Sequence, residues 1–266
     1  MKIAFVGGGN MGEAMLVAVL ERGLSTLEAV GVGDVSTERR RYLKNQYGVE
    51  VTESNKEAAK NKDVIVLAVK PQNLSTVMTE LNGCIKSTQL VLSIIAGASI
   101  NTLRQGLGHS RVVRAMPNTP AQVGAGISVW TATAEVTAEQ RGWARAILGA
   151  MGREIYFDDE KYLDMATAVS GSGPAYFFLL AESLIDAAVH IGLPQNEAEE
   201  LVLQTMLGSA HLMQKSDKPP AELRRNVTSP GGTTDRALQV FEEGGFTKLV
   251  KEAVRAAYNR ARELGN

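Results

Sequence analysis

The chain reads as an α/β protein in two parts, a doubly wound sheet domain over residues 1–160 followed by an all-helical domain over 161–266. Three observations predict this. Short runs rich in Val, Ile and Leu alternate with helical segments through the first half; no convincing strand follows Asp164; and the first run leads directly into a glycine turn that opens a helix. Apolar runs without polar alternation suit strands covered on both faces, as in a parallel sheet.

The elements follow in order. Residues 2–6 (KIAFV) form the first strand. The segment 1–20 is apolar enough to resemble a leader peptide, but its glycines, Asn10 and Glu13 interrupt it and only Lys2 precedes it as a charge. Strand, loop and helix over 11–22 is the better reading. Further strands are predicted over 29–33, 63–69, 90–95, 111–115, 126–130 and 154–157. Helices over 37–47, 55–60, 74–81, 100–107 and 138–151 lie between them. Beyond residue 164 the windows are helical. The segment 176–190 (YFFLLAESLIDAAVH) is so apolar around Glu182 and Asp186 that it must be buried, in a core or in a subunit interface. Glu197, Glu199 and Glu200 in the first turn of the next helix suit the positive end of its dipole. That helix runs to about residue 214, the chain breaks at 215–220, and shorter helices follow over 221–227, 233–243 and 246–264.

Composition excludes several function classes. Lys+Arg 28 against Asp+Glu 29 leaves a net charge of −1, so no bulk positive field draws nucleic acid or anionic lipid. No segment reaches the roughly 18 uninterrupted apolar residues of a membrane span. The single cysteine, Cys84, cannot form an internal disulfide, which points to a reducing, cytoplasmic setting. With His109, His190 and His211 as the only other soft ligands, no His/Cys metal site is expected.

The stretch Val6, Gly7, Gly8, Gly9, Asn10, Met11, Gly12 fits G-x-G-x-x-G between strand and helix. Gly7 permits the tight turn, Gly9 lets a pyrophosphate approach the backbone, and Gly12 allows helix and strand to pack closely. The helix N-terminus then offers free amides to the anion. This is the arrangement of a Rossmann-type dinucleotide site. Asp34, ending the second strand 22 residues beyond Gly12, suits the adenine ribose hydroxyls and favours NADH; alternatively it caps the following helix. Ser36, Arg39 and Arg40 lie close enough to offset its repulsion of a 2′-phosphate, so the expected cofactor is NAD(P)H. Three more strand ends, Val69-Lys70-Pro71, Ile95-Ala96-Gly97 and the 114–120 segment, converge on the same sheet edge and outline a cleft.

A second glycine loop, 226–234 (NVTSPGGTT), lies among the helices. Pro230 fixes one backbone angle, two glycines open an amide array, and Thr233 and Thr234 bring hydroxyls to a helix start. Such a nest suits a carboxylate. A plain helix connection with a threonine cap also explains it. Two function classes remain open on these residues: an imine or β-hydroxyacid reductase built on this sheet-plus-helices plan, and a dinucleotide-responsive binding protein without turnover. A hydroxyacid enzyme would want a basic catalytic residue where the first long helix has Glu182 and Asp186; the binding protein has no use for the later loop.

Taken together, the first glycine loop, Val69-Lys70-Pro71, 116–120 (MPNTP), 170–176 (SGSGPAY) and 229–234 (SPGGTT) resemble the pyrroline-5-carboxylate reductase family, in order along the whole chain. The last motif, extended through 236–238 and 223–226, is the most specific. The resemblance implies reduction of 1-pyrroline-5-carboxylate to L-proline by NAD(P)H. It also implies a homodimer with interlocked helical domains, often assembled into a decamer, whose substrate site joins residues of two chains. Val6 to Met11 are implied to cradle the pyrophosphate, with Asp34, Ser36 and Asn55 at the adenosine half. Val69, Lys70, Pro71 and Ala96 are implied on the nicotinamide side, and Asn226 reaches the cofactor from the helical domain. Ser229, Gly231, Gly232 and Thr233 are implied to hold the substrate carboxylate, Thr234 to approach the ring nitrogen as the catalytic residue, and Glu160 to lie near the substrate. Asp34 departs from the small or hydroxyl residue that many relatives carry there.

Overall fold

Eight strands form one sheet in a computed structural model that describes residues 1–265. They are β1 (Ile3–Val6), β2 (Val30–Gly33), β3 (Glu50–Thr52), β4 (Val64–Leu67), β5 (Leu90–Ser93), β6 (Val112–Met116), β7 (Gly126–Ala132) and β8 (Gly152–Tyr156). Their order across the sheet is β3-β2-β1-β4-β5-β6-β7-β8. The first six run parallel, while β7 is antiparallel to β6 and β8 is parallel to β7. The reversal follows from chain length: only a short 3₁₀ turn, Thr119–Val123, joins β6 to β7, and a parallel crossover needs a dozen residues or more.

Helices α1 (Asn10–Glu21), α2 (Thr37–Tyr47), α3 (Asn55–Ala59), α4 (Leu74–Leu81), α5 (Ile100–Leu107) and α6 (Ala138–Ala150) supply the crossovers. Their starts are written in local chemistry. The hydroxyls of Ser36, Ser54 and Ser99 cap α2, α3 and α5 by accepting the third helical amide, and Thr137 with Gln140 forms a capping box on α6. Gly48 and Gly108 end α2 and α5 in the left-handed conformation.

Alternation along β4 shows how the sheet is covered. Val64 and Val66 enter an apolar cluster with Phe5, Leu16 and Trp130, whereas Ile65 and Leu67 enter another with Leu81 and Leu103. Strand residues buried on both faces account for the uninterrupted apolar runs in the sequence.

The remaining helices are α7 (Lys161–Ala166), α8 (Gly173–His190), α9 (Gln195–Lys215), α10 (Pro220–Asn226), α11 (Thr233–Glu243) and α12 (Phe246–Gly265). Thr167–Gly171 forms a π-turn between α7 and α8, in which the Ser172 amide donates to the Thr167 carbonyl at 2.7 Å. The chain divides into two compact units: Met1–Ser172 together with the residues from Ala257 onward, and Gly173–Ala256. Within the helical unit α8 packs on α9. Much of α8 is nonetheless uncovered: Phe177, Phe178 and Leu179 are each more than 60% exposed. Burial in a core of this chain, one of the two expectations for that segment, is therefore corrected. No described helix is long and apolar enough to cross a membrane.

Candidate active site

The strand order reverses between β1 and β4, and a crevice of about 460 Å³ opens at the carboxyl ends of the strands around that point. Gly7 and Gly9 follow β1, Gly33 ends β2 and Asp34 to Ser36 follow it, Asn55 starts α3, and Ala68 to Lys70 follow β4; all line the crevice.

The three glycines of the first loop have separate geometries. Gly7 has φ +99°, and a Cβ there would lie 2.8 Å from the Ala68 carbonyl group. A Cβ on Gly12 would strike the Gly7 carbonyl oxygen, whereas one on Gly9 would meet nothing within 4 Å. Gly7 and Gly12 thus permit the tight turn and close packing, and Gly9 faces open space. Gly8 is constrained too: a Cβ would lie 2.5 Å from Leu43 Cδ1. The loop therefore leaves room over its backbone, and Asn10 and Met11 present first-turn amides that have no intrahelical partner. This cradle fits a dinucleotide pyrophosphate.

Asp34 does not cap α2; Ser36 does. Its Oδ2 accepts from the Gly8 amide at 2.8 Å and its Oδ1 from the Ser36 amide at 2.8 Å. The carboxylate is thereby fixed on the crevice wall. Buried Asn55 donates to Glu80 Oε2 at 2.6 Å, and Asn73, Thr76 and Glu80 complete the wall from α4 and the turn before it. These three were not singled out in the sequence, yet positions 73, 76 and 80 share one helical face directly after the Lys70-Pro71 turn.

Other predicted positions lie apart from this crevice lining. Val6 is buried in β1, Pro71 opens a 3₁₀ turn, and Ala96 lies in the loop after β5. Glu160 Oε1 accepts from Arg114 Nη1 at 2.7 Å and from the Ile100 amide at 2.8 Å, while Arg114 Nη2 reaches Asp164 Oδ1 at 2.8 Å. Buried Arg114 thus ties the middle of β6 to α7 and its N-cap Glu160 and, through Glu160, to α5.

In the helical unit Asn226 ends α10, and Gly232 is the N-cap of α11. Gly231 has φ +72°, and its amide donates to Asp235 Oδ2 at 2.9 Å; the Gly232 amide donates to the Ser229 carbonyl at 2.9 Å. Thr233 and Thr234 occupy the first turn, where helical amides lack internal acceptors. No group of three or more metal-ligating side chains occurs among the described residues.

Comparison with known proteins decides what the two loops belong to. A pyrroline-5-carboxylate reductase of Pseudomonas aeruginosa is 43% identical over 264 residues, 99% of this chain and 96% of its own. The chain belongs to the pyrroline-5-carboxylate reductase family. The Arabidopsis thaliana member is 38% identical over 99% of this chain and 95% of its own. The family described as pyrroline-5-carboxylate reductase dimerisation matches residues 160–264, and the one described as NADP oxidoreductase, coenzyme F420-dependent, matches 2–97. Among solved structures, a reductase of this family from Coxiella burnetii superposes with a TM-score of 0.91 at 39% identity, covering 100% of this chain and 98% of that one. The Plasmodium falciparum enzyme, solved with NADP bound, does so with a TM-score of 0.91 at 34% identity and the same coverage. A prephenate dehydrogenase from Aquifex aeolicus, 16% identical with a TM-score of 0.55, shares the fold alone.

Proposed function

We propose that the chain reduces 1-pyrroline-5-carboxylate to L-proline with NAD(P)H, the last step of proline biosynthesis, acting in the cytoplasm as a homodimer that can build up to a decamer. The observation that carries this reading is identity of 43% spread over 99% of the chain, so that it includes both glycine loops. Residues 1–160 hold the cofactor, and 161–266 provide dimerisation and substrate binding.

The demands on the protein are modest. A protonated cyclic imine is already electrophilic, so its ring must be oriented and screened from water rather than strongly activated. When bound, the nicotinamide supplies the hydride. Val6 to Met11 hold the pyrophosphate; Asp34, Ser36 and Asn55 hold the adenosine half; Val69, Lys70, Pro71 and Ala96 line the nicotinamide side, and Asn226 adds a contact from the helical domain.

Ser229, Gly231, Gly232 and Thr233 orient the substrate through its carboxylate. Support comes from the start of α11: the Gly231 and Gly232 amides donate to Asp235 and the Ser229 carbonyl, while the first-turn amides of Thr233 and Thr234 lack intrahelical acceptors and suit an anion. Thr234 hydrogen-bonds the ring nitrogen and stabilises the amine as it forms. A threonine hydroxyl is too weak an acid to drive the step, and the protonated imine does not require one. Glu160 lies beside the substrate. Purified protein should oxidise NADH or NADPH when pyrroline-5-carboxylate is added; folded, oligomeric protein that turns over neither cofactor contradicts the reading.

A further inference from the structure

The adenosine end of the crevice has an unbalanced charge pattern. Asp34 and Glu80 both line it, and its one lining cation, Lys70, follows β4 rather than β2. Asp34 cannot swing aside without cost, because both its carboxylate oxygens accept backbone amides, from Gly8 and Ser36. The sequence offers two cations that would offset it, Arg39 and Arg40, but neither lines the crevice.

Each arginine is held elsewhere. Arg39 donates from Nε to the Gly8 carbonyl and from Nη2 to the Glu13 carboxylate, and its guanidinium lies over the Tyr42 ring at 4.8 Å from the centroid. Glu13 is itself anchored, its Oε1 accepting from the Tyr47 hydroxyl at 2.6 Å. Burial raises the Glu13 pKa, but the bonds from Tyr47 and Arg39 outweigh it and hold the carboxyl below its usual range, so the tether stays charged. Arg40 donates to the Asp34 carbonyl at 2.6 Å, to Thr37 Oγ1 at 3.1 Å and to Glu53 Oε2 at 3.3 Å.

We infer that this site selects NADH over NADPH, with Asp34 as the specificity-determining residue and the Glu13–Tyr47 pair as a positioning device that withholds Arg39. The inference rests on the reductase reading and names which cofactor that reading leaves open. A fixed carboxylate hydrogen-bonds two ribose hydroxyls well and repels a 2′-phosphate. Two negative groups at contact distance, with no cation between them, weaken binding by about tenfold or more.

The test is direct titration of the full-length protein with NADH and with NADPH, without imine, following nicotinamide fluorescence. NADH is expected to bind about tenfold more tightly. Asp34→Ser should bring the two dissociation constants within about threefold, by removing the repelling charge. Arg39→Ala should weaken both cofactors alike, because the guanidinium supports the loop at Gly8 and does not reach the ribose. Glu13→Ala should free Arg39 and tighten NADPH by about threefold relative to NADH. Equal or tighter NADPH binding by the unmodified protein overturns the inference. So does an unchanged ratio in Asp34→Ser, or a loss confined to NADPH in Arg39→Ala. Turnover separates this from the reductase reading: NADH-selective binding without imine reduction sinks that reading alone, and imine reduction with tighter NADPH binding sinks this inference alone.

Discussion

Single residues show where sequence spacing speaks and where it is silent. Arg114, read in the sequence as the start of a strand end that outlines the cleft, is 5% exposed and pairs with both Glu160 and Asp164. Arg114→Ala strands two partly buried carboxylates and should lower the unfolding free energy by about 3 kcal/mol in a denaturant titration. His109 is buried with Nε2 2.9 Å from the Gln89 carbonyl, and burial pushes its pKa below the ordinary value of about 6.5. The folded chain therefore binds fewer protons there than the unfolded one. This contribution to stability is whole above pH ~6.5 and is lost as pH falls from there toward the folded value. His109→Gln should flatten that part of the stability profile, and an unchanged acid slope would remove His109 from it. Thr234→Ala should cut kcat by about ten- to a hundredfold, the scale of one lost hydrogen bond to a charged group, with cofactor affinity kept within about twofold. Of the crevice residues, Gly7, Gly9, Asp34, Ser36, Val69 and Lys70 were legible because strand ends and glycine turns leave local marks, whereas Asn55, which follows the unread strand β3, was named only through the family resemblance. Asn73, Thr76 and Glu80 left none, since polar residues on a helix are ordinary on any surface. The commitments of Arg39 and Arg40 depend on partners such as Glu13, 26 positions away, that spacing alone does not reveal.

At the scale of elements, long apolar runs and capped helices were readable because their determinants are local. The strand β3 was not: Glu50–Thr52 is a three-residue edge, no residue of it fully buried, so it has no apolar run to announce it. The direction of β7 and β8 also went unread, since polarity of a strand is set by the length of its connection and not by its composition. The apolar segment within α8 allowed two burials, and only the exposed side chains of the single chain choose between them. Phe177, Phe178 and Leu179, with Leu201, Leu203 and Leu207 on α9, are each more than half exposed, as large apolar side chains of an interaction face are. Phe177→Asp should shift the protein toward one-chain mass in light scattering while circular dichroism stays helical. A variant that remains fully oligomeric would remove α8 from the interface.

For the whole molecule, the near-neutral charge and the scarcity of histidine and cysteine acquire a positive meaning. Hydride chemistry carried by a bound cofactor requires neither an imidazole nor a thiol of the protein, and in the proposed reading the work falls to backbone amides and the Thr234 hydroxyl. The sheet supplies the crevice at its order reversal, and the helical part supplies the second loop and the apolar faces for assembly. Membership of the reductase family joins these parts into one activity. The most direct test is stoichiometry: NAD(P)H oxidised and L-proline formed, measured together after adding pyrroline-5-carboxylate to the purified oligomer. The account predicts one proline for each cofactor oxidised. Cofactor consumption without proline, or no consumption by folded protein, would contradict it.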